Sequence, residues 1–292
     1  VAFGRTDTTY AVTNIIDGPG VLIQRGTGRT TLSPTGGNNT YTGKTFVTNG
    51  TLAVANQTAL GAAPGVYVAD QVTLNGGSLA GTVTQTINNP NRGLAVGANG
   101  GGLGADGATI LTVASIISGS GALTINNTGT TELTGANSLT GRLILQSGTL
   151  LLASESPLGA APAAPAADQL TFNGGTLRST ATFAIDDSNR GLTFNAAGGT
   201  ISPDAGTTLT ISEPTAGAGV LTKVGAGTLV LNATGGRTGA TLINQGVLAM
   251  GASGSSVSSP IAVASGATFD VSATAFTLGS GQLLTGNGSV VG

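Results

Sequence analysis

Leu60-Gly61-Ala62-Ala63-Pro64 returns 98 positions later as Leu158-Gly159-Ala160-Ala161-Pro162, and the same interval separates Asp70-Gln71 from Asp168-Gln169. Asn91-Arg92-Gly93-Leu94 likewise returns as Asn189-Arg190-Gly191-Leu192, and Gly121-Ala122-Leu123-Thr124 as Gly219-Val220-Leu221-Thr222. Self-similarity at a fixed period points to a stacked array and away from a globular enzyme. Towards the start, Thr13-Asn14-Ile15-Ile16 aligns with Ala114-Ser115-Ile116-Ile117 at an interval of 101, which places about three extra residues between Arg25 and Thr40. The chain is read as one solenoid over 1–292, in three units of about 98 residues at about 1–101, 102–199 and 200–292.

Composition narrows the class. The 292 residues include 50 Gly, no Cys, no Trp and no His, and only 8% are charged, against about 25% in an ordinary soluble domain. Hydrophobic residues reach 39% while aromatics are 3%, so the core must be built from small aliphatic layers. A net charge of −2 with positive mean hydropathy argues against disorder. No apolar run is long enough to span a membrane as a helix, so no membrane insertion by this segment is expected. Without cysteine there is neither a disulfide framework nor a thiolate zinc site. Ten basic residues spread thinly offer no row of cations for phosphates, so nucleic acid is not an expected partner.

Short β-type runs follow one another about every ten residues through the middle unit and into the next: Leu123 to Ile125, Thr131 to Leu133, Leu143 to Leu145, Thr149 to Leu152, Leu170 to Phe172, Phe183 to Ile185, Leu192 to Phe194 and Leu209 to Ile211. Most alternate apolar residues with Thr, Asn or Ser, the pattern of a strand with one buried face. Nothing reads as a helix, since Pro162 and Pro165 break the one Ala-rich stretch. Between the runs lie turn pairs, Asn49-Gly50, Asn75-Gly76, Asn173-Gly174 and Gln245-Gly246, in which Gly supplies positive φ. These could be hairpin turns of an antiparallel sandwich. A parallel β-helix accounts better for the fixed period: at roughly 20 to 30 residues a rung, about 12 to 15 rungs would make a rod of roughly 55 to 70 Å.

Two segments resemble a known family. Gly219-Val220-Leu221-Thr222-Lys223-Val224-Gly225-Ala226-Gly227-Thr228-Leu229-Val230-Leu231 is similar to the passenger-associated transport repeat, also called the autotransporter-associated β-strand repeat. Asn39-Thr40-Tyr41-Thr42-Gly43-Lys44-Thr45, followed by Asn49-Gly50-Thr51-Leu52, carries the rest of the motif. The middle unit departs from it, with Ile125 at the lysine position and Leu139 at the tyrosine position, so neither Lys nor Tyr is read as chemically required. Phe276 to Gly292 also resembles segments of such proteins. The resemblance implies an all-β, right-handed parallel β-helix, a bacterial origin, export to the cell surface or beyond, and a role as stalk or secretion aid. No translocator barrel follows, so a longer precursor or a cleavage is expected.

Asp186-Asp187 is the best acid pair, yet the equivalent positions one unit earlier are Asn88-Asn89, which favours a polar turn over catalysis. Arg92 and Arg190 recur as possible polar contacts, either with an anion or sugar or as caps on corner carbonyls. Gly101-Gly102-Leu103-Gly104-Ala105-Asp106-Gly107-Ala108 loosely fits a calcium-binding nonapeptide, but a single copy makes no site. No catalytic residue, metal or cofactor is assigned. The expected role is a rod, stalk or extracellular filament whose partner is itself, head to tail or laterally, or further repeats of a longer chain. The chain starts and stops near the same repeat phase, as such stacking would require. The alternatives are an adhesive or glycan-binding passenger and, more remotely, a β-helix polysaccharide hydrolase or lyase.

Overall fold

The computed structural model describes all residues, Val1–Gly292. Its contacts group into two compact units, one of Val1–Leu143 with Ser156–Ala160, the other of Ile144–Glu155 with Ala161–Gly292. Both are parallel β-solenoids. The chain has no α-helix, only two short 3-10 turns at Gln57–Leu60 and Ser156–Leu158.

In the first unit, one sheet stacks Ala2–Phe3, Leu22–Gln24, Thr45–Val47, Val68–Leu74, Arg92–Val96, Ile117–Gly119 and Ser138–Leu139 in that order, each strand parallel to its neighbours. A second sheet stacks Tyr10–Val12, Arg29–Leu32, Thr51–Val54, Ser78–Gly81, Gly101–Ala105 and Leu123–Asn127. A third begins at Gln85–Ile87 and continues through Ile110–Val113 and Thr130–Leu133. Early turns thus carry two strands and later ones three.

The second unit keeps three strands in a turn. Thr228 pairs with Thr208 on one side and Val247 on the other, so a turn takes about twenty residues. Parallel pairing places like beside like: Leu209, Leu229, Leu248 and Phe269 form one buried column, and Ile185, Ile211, Leu231 and Met250 another. Phe172 lies flat on Phe194, the ring centroids 4.4 Å apart and the planes 2° from parallel. The in-register ladder imposes this face-to-face stack, although isolated aromatic pairs prefer an offset or an edge.

Side chains also stitch successive turns. Asn39 Oδ1 accepts the Ile16 N–H at 2.9 Å while its Nδ2 donates to the Ala59 carbonyl at 2.7 Å. Asn137, 98 positions on, does the same between Ile117 N and the Pro157 carbonyl, at 2.8 and 2.7 Å. Each amide thereby satisfies main-chain groups of the turns above and below, which would otherwise be left buried and unpaired.

The glycine run that loosely fits a calcium loop is a strand instead. Gly101–Ala105 lies between Ser78–Gly81 and Leu123–Asn127 in parallel register. Its glycines are packing devices, for a Cβ on Gly102 would stand 2.1 Å from Ser78 Oγ and 2.6 Å from Asn126 Nδ2. The strands at Gly101–Ala105 and Gly199–Pro203 escape a reading based on β-branched alternation because packing against both neighbours, and not propensity, makes them strands.

Stacking of this kind makes each buried ring depend on its neighbour. Phe194→Ala is expected to destabilise the fold by about 3–5 kcal/mol, because it leaves a cavity beside Phe172; denaturant unfolding monitored by circular dichroism measures the loss.

Candidate functional site

The charged residues are few, and three of the buried cations, Arg92, Lys223 and Arg237, serve the main chain. A solenoid corner turns carbonyls inward, away from water, where each needs a donor. Arg92 is 2% exposed. Its guanidinium donates to the carbonyls of Gln57 and Gly61, each at 2.7 Å, and of Ala62 at 3.2 Å, so it closes the 3-10 turn at Gln57–Leu60.

Arg190 occupies the same position one repeat later, 1% exposed, and there the partners include carboxylates. Its Nη2 donates to Asp187 Oδ2 at 2.6 Å, and Nε lies 3.3 Å from Glu155 Oε1. The Glu155 carboxylate also accepts the main-chain N–H groups of Asp186 and Asp187, both at 3.2 Å. In the first unit Gln57 Oε1 accepts from Asn88 N and Asn89 N at 3.2 and 3.1 Å. The two corners therefore share one geometry, in amide form at Gln57 and in acid form at Glu155. Burial pushes the Glu155 pKa up, with the Asp187 charge adding to it, against the two N–H donors and Arg190. Asp186 and Asp187 sit at a turn whose N–H groups are tied down, with Asp187 facing an arginine.

Lys223 is the least expected of the buried groups. It stands in the inward column Leu177, Ile201, Lys223, Ile243, Val263 and is fully buried. Its Nζ donates to the carbonyls of Val224, Gly225 and Gln245 at 2.8, 2.7 and 2.9 Å, which uses all three ammonium hydrogens. Burial pushes its pKa down to about 8. Gln24 fills the equivalent place in the first unit, its Nε2 donating to the Gly26 and Gly28 carbonyls at 2.9 and 3.3 Å.

Tyr41 and Arg237 form a second pair of equivalents. Tyr41 is 1% exposed, its hydroxyl is 2.7 Å from Thr45 Oγ1, and burial pushes its pKa up to about 12. Arg237 reaches Thr241 Oγ1 in the same way, caps the Gly219 and Ala240 carbonyls at 3.2 and 2.8 Å, and lies 5.5 Å from the Phe194 ring centroid. Burial lowers its pKa to about 10.

The turn residues fall at corners. Gly50, Gly76, Gly174 and Gly246 have φ of 57°, 108°, 112° and 66°, in the region that excludes a Cβ at little cost only for glycine. Asn75 Oδ1 accepts the Asn99 N–H at 2.9 Å, Asn173 Nδ2 donates to Gln146 Oε1 at 2.8 Å, and Asn49 Oδ1 accepts the N–H of Gly50 at 2.8 Å. Gln245 contributes its carbonyl to the Lys223 cage. Asn49, Asn75, Asn173 and Gln245 are not gathered at one place; each serves its own corner.

Sequence reasoning missed Gln57, Glu155, Gln24 and Arg237, and passed over Lys223 and Tyr41. Aligning the repeats gives Gln24, Ile125 and Lys223 at one position, and Tyr41, Leu139 and Arg237 at another. A polar residue alternating with Ile or Leu marks an inward position, and that was the available signal.

Residues 22–54 and 221–250 match the passenger-associated-transport-repeat. These two stretches contain the Gln24 and Lys223 cages. Over 142 residues the chain is 42% identical to the adhesin BmaC autotransporter of Brucella suis biovar 1 (strain 1330), a match that covers 44% of this chain and 4% of that protein. No solved structure matches significantly.

The Lys223 cage has a pH signature. Because the folded-state pKa is lowered to about 8 from the ordinary 10.5, the unfolded chain holds more protons between those values, and stability from this group rises with pH across that window. Lys223→Gln, which copies Gln24, is expected to lose that rise, so that the parent gains stability relative to the variant between about pH 8 and pH 10.5 when both are followed by urea unfolding. This chain is a parallel β-solenoid in which residues 22–54 and 221–250 are similar to the passenger-associated-transport-repeat.

Proposed function

We propose that this chain is a structural segment of an exported bacterial surface protein, a rod or stalk extended head to tail by further turns of the same kind. Those turns come from a longer chain or from a second copy. The observation that carries this reading is the parallel ladder itself. Each turn satisfies its main-chain groups on the next turn, so the fold grows by repetition and not by closure. Repeated in one direction, such a contact builds a filament.

The use of charge supports a non-enzymic role. Arg92, Lys223 and Arg237 cap main-chain carbonyls, and Arg190 faces Glu155 and Asp187, so the buried ionisable groups are committed to holding corners.

An adhesive role is the second reading. The matched relative is named an adhesin. Thr149, Thr176, Thr200 and Thr222 stand in register on four successive strands of the second unit, a partly exposed row of hydroxyls at about the 4.8 Å strand spacing. Such a row suits a hydroxyl-rich ligand such as a glycan.

Negative-stain microscopy over a range of concentrations tests the first reading: rods that lengthen with concentration are expected, and uniform monomers at every concentration contradict self-stacking. Glycan-array binding that vanishes on Thr→Val changes in that row would favour the adhesive reading.

A further inference from the structure

The sequence holds five Asn-Gly pairs, at 49–50, 75–76, 99–100, 173–174 and 287–288. An asparagine followed by glycine is the sequence most prone to intramolecular attack by the next main-chain nitrogen on the side-chain amide. The reaction needs that nitrogen close to the side-chain amide, with its proton not held by a main-chain carbonyl of the fold. Since glycine follows in all five, the next residue does not rank them. The fold does.

Four of the five nitrogens are tied to main-chain carbonyls. Gly76 N–H donates to the Gly100 carbonyl at 2.7 Å, Gly100 N–H to Gly97 at 2.8 Å, Gly174 N–H to Gly198 at 2.8 Å and Gly288 N–H to Val263 at 3.0 Å. Three of these bonds reach the adjoining turn and open only with the local ladder. Two of the side chains are pinned as well, Asn75 by the Asn99 N–H and Asn173 by Gln146. Gly50 differs. Its N–H donates to Oδ1 of Asn49 itself at 2.8 Å, so the nucleophile already lies against the carboxamide it would attack. Asn49 is also exposed to the water that must complete the reaction.

We propose that Asn49-Gly50 is a self-modification site, at which this chain converts asparagine to aspartate and isoaspartate ahead of its other Asn-Gly pairs. The Gly50 nitrogen gives its proton to solvent base and attacks Asn49 Cγ. The N–Cγ bond forms, the Cγ–Nδ2 bond breaks, and ammonia leaves with a proton from solvent. The resulting succinimide takes up one water. Breaking the new N–Cγ bond gives aspartate, and breaking the original main-chain bond gives isoaspartate; no oxidant or reductant takes part. Both products add a negative charge to the turn, and isoaspartate adds a methylene to its main chain. Little room exists for that extra length, because the Gly50 α-carbon is wedged where a Cβ would meet the Gly28 and Gly26 carbonyls at 2.2 and 2.3 Å. Those are the carbonyls that Gln24 caps from inside, so the modification bears directly on that corner.

Incubating the folded chain at mildly alkaline pH in heavy-oxygen water, followed by peptide mapping, reads the rate at each pair. Asn49 is expected to lead by about tenfold or more, the factor that about 1.4 kcal/mol of local opening would impose on the others. In denaturant the five rates are expected to converge. Asn49→Gln, which keeps the amide but requires a larger ring, is expected to silence the site without raising the other four. Equal rates in the folded chain, or a lead for Asn75 or Asn173, would overturn the proposal. So would a lead for Asn49 that persists unchanged in denaturant, since the selectivity would then not come from the fold.

Discussion

The parallel main-chain ladder is the constraint on which the rest of the structure depends. Each strand hydrogen-bonds to the strand about one turn later, so a residue at a given height must tolerate nearly the same surroundings as its partners above and below. Aliphatic columns such as Leu209, Leu229, Leu248 and Phe269 satisfy that requirement for the interior of the strands. The corners are harder to satisfy. There the chain must bend, and some carbonyls end up facing inward, where hydration is lost and a donor has to be supplied. Buried cations and amides are the response: Gln24, Lys223, Arg92 and Arg237 cap such carbonyls. This division of labour accounts for a chain with so few charged residues placing several of them in its core.

Comparing equivalent corners separates geometry from chemistry. Gln57 with Asn88 and Asn89 builds the same corner as Glu155 with Asp186 and Asp187, so ionisation is not what that corner requires. The acid version carries a cost that the amide version lacks, visible in the upward push on the Glu155 pKa. Lys223 replaces Gln24 at the cost of burying a charge, and gains a third carbonyl contact in exchange. A group retained in form while its charge changes is a structural group, and this places the buried ionisable residues with the architecture.

Much of the architecture was legible in the sequence because repetition is an unusually direct signal. A period of 98 residues and the alternation of Leu143 to Leu145 or Thr149 to Leu152 mark stacked strands without any knowledge of contacts. Strands such as Gly101–Ala105 were not legible, since their glycines are chosen by the closeness of Ser78 and Asn126 two strands apart. The capping groups were hidden for a related reason. Nothing local to Lys223 announces an inward side chain; only its place in register with Ile201 and Ile243 does. Nor could the sequence rank its Asn-Gly pairs, because the distinction lies in where each glycine N–H is bonded.

The central claim is the parallel register, and a distance between neighbouring turns tests it most directly. Thr210 and Val230 are register partners on adjoining turns, both partly exposed, and nitroxide labels can be placed on each through cysteine, which the chain otherwise lacks. Strands one rung apart stand about 4.8 Å from each other, so strong dipolar broadening of the doubly labelled chain is predicted. A spectrum equal to the sum of the two singly labelled chains would contradict the solenoid.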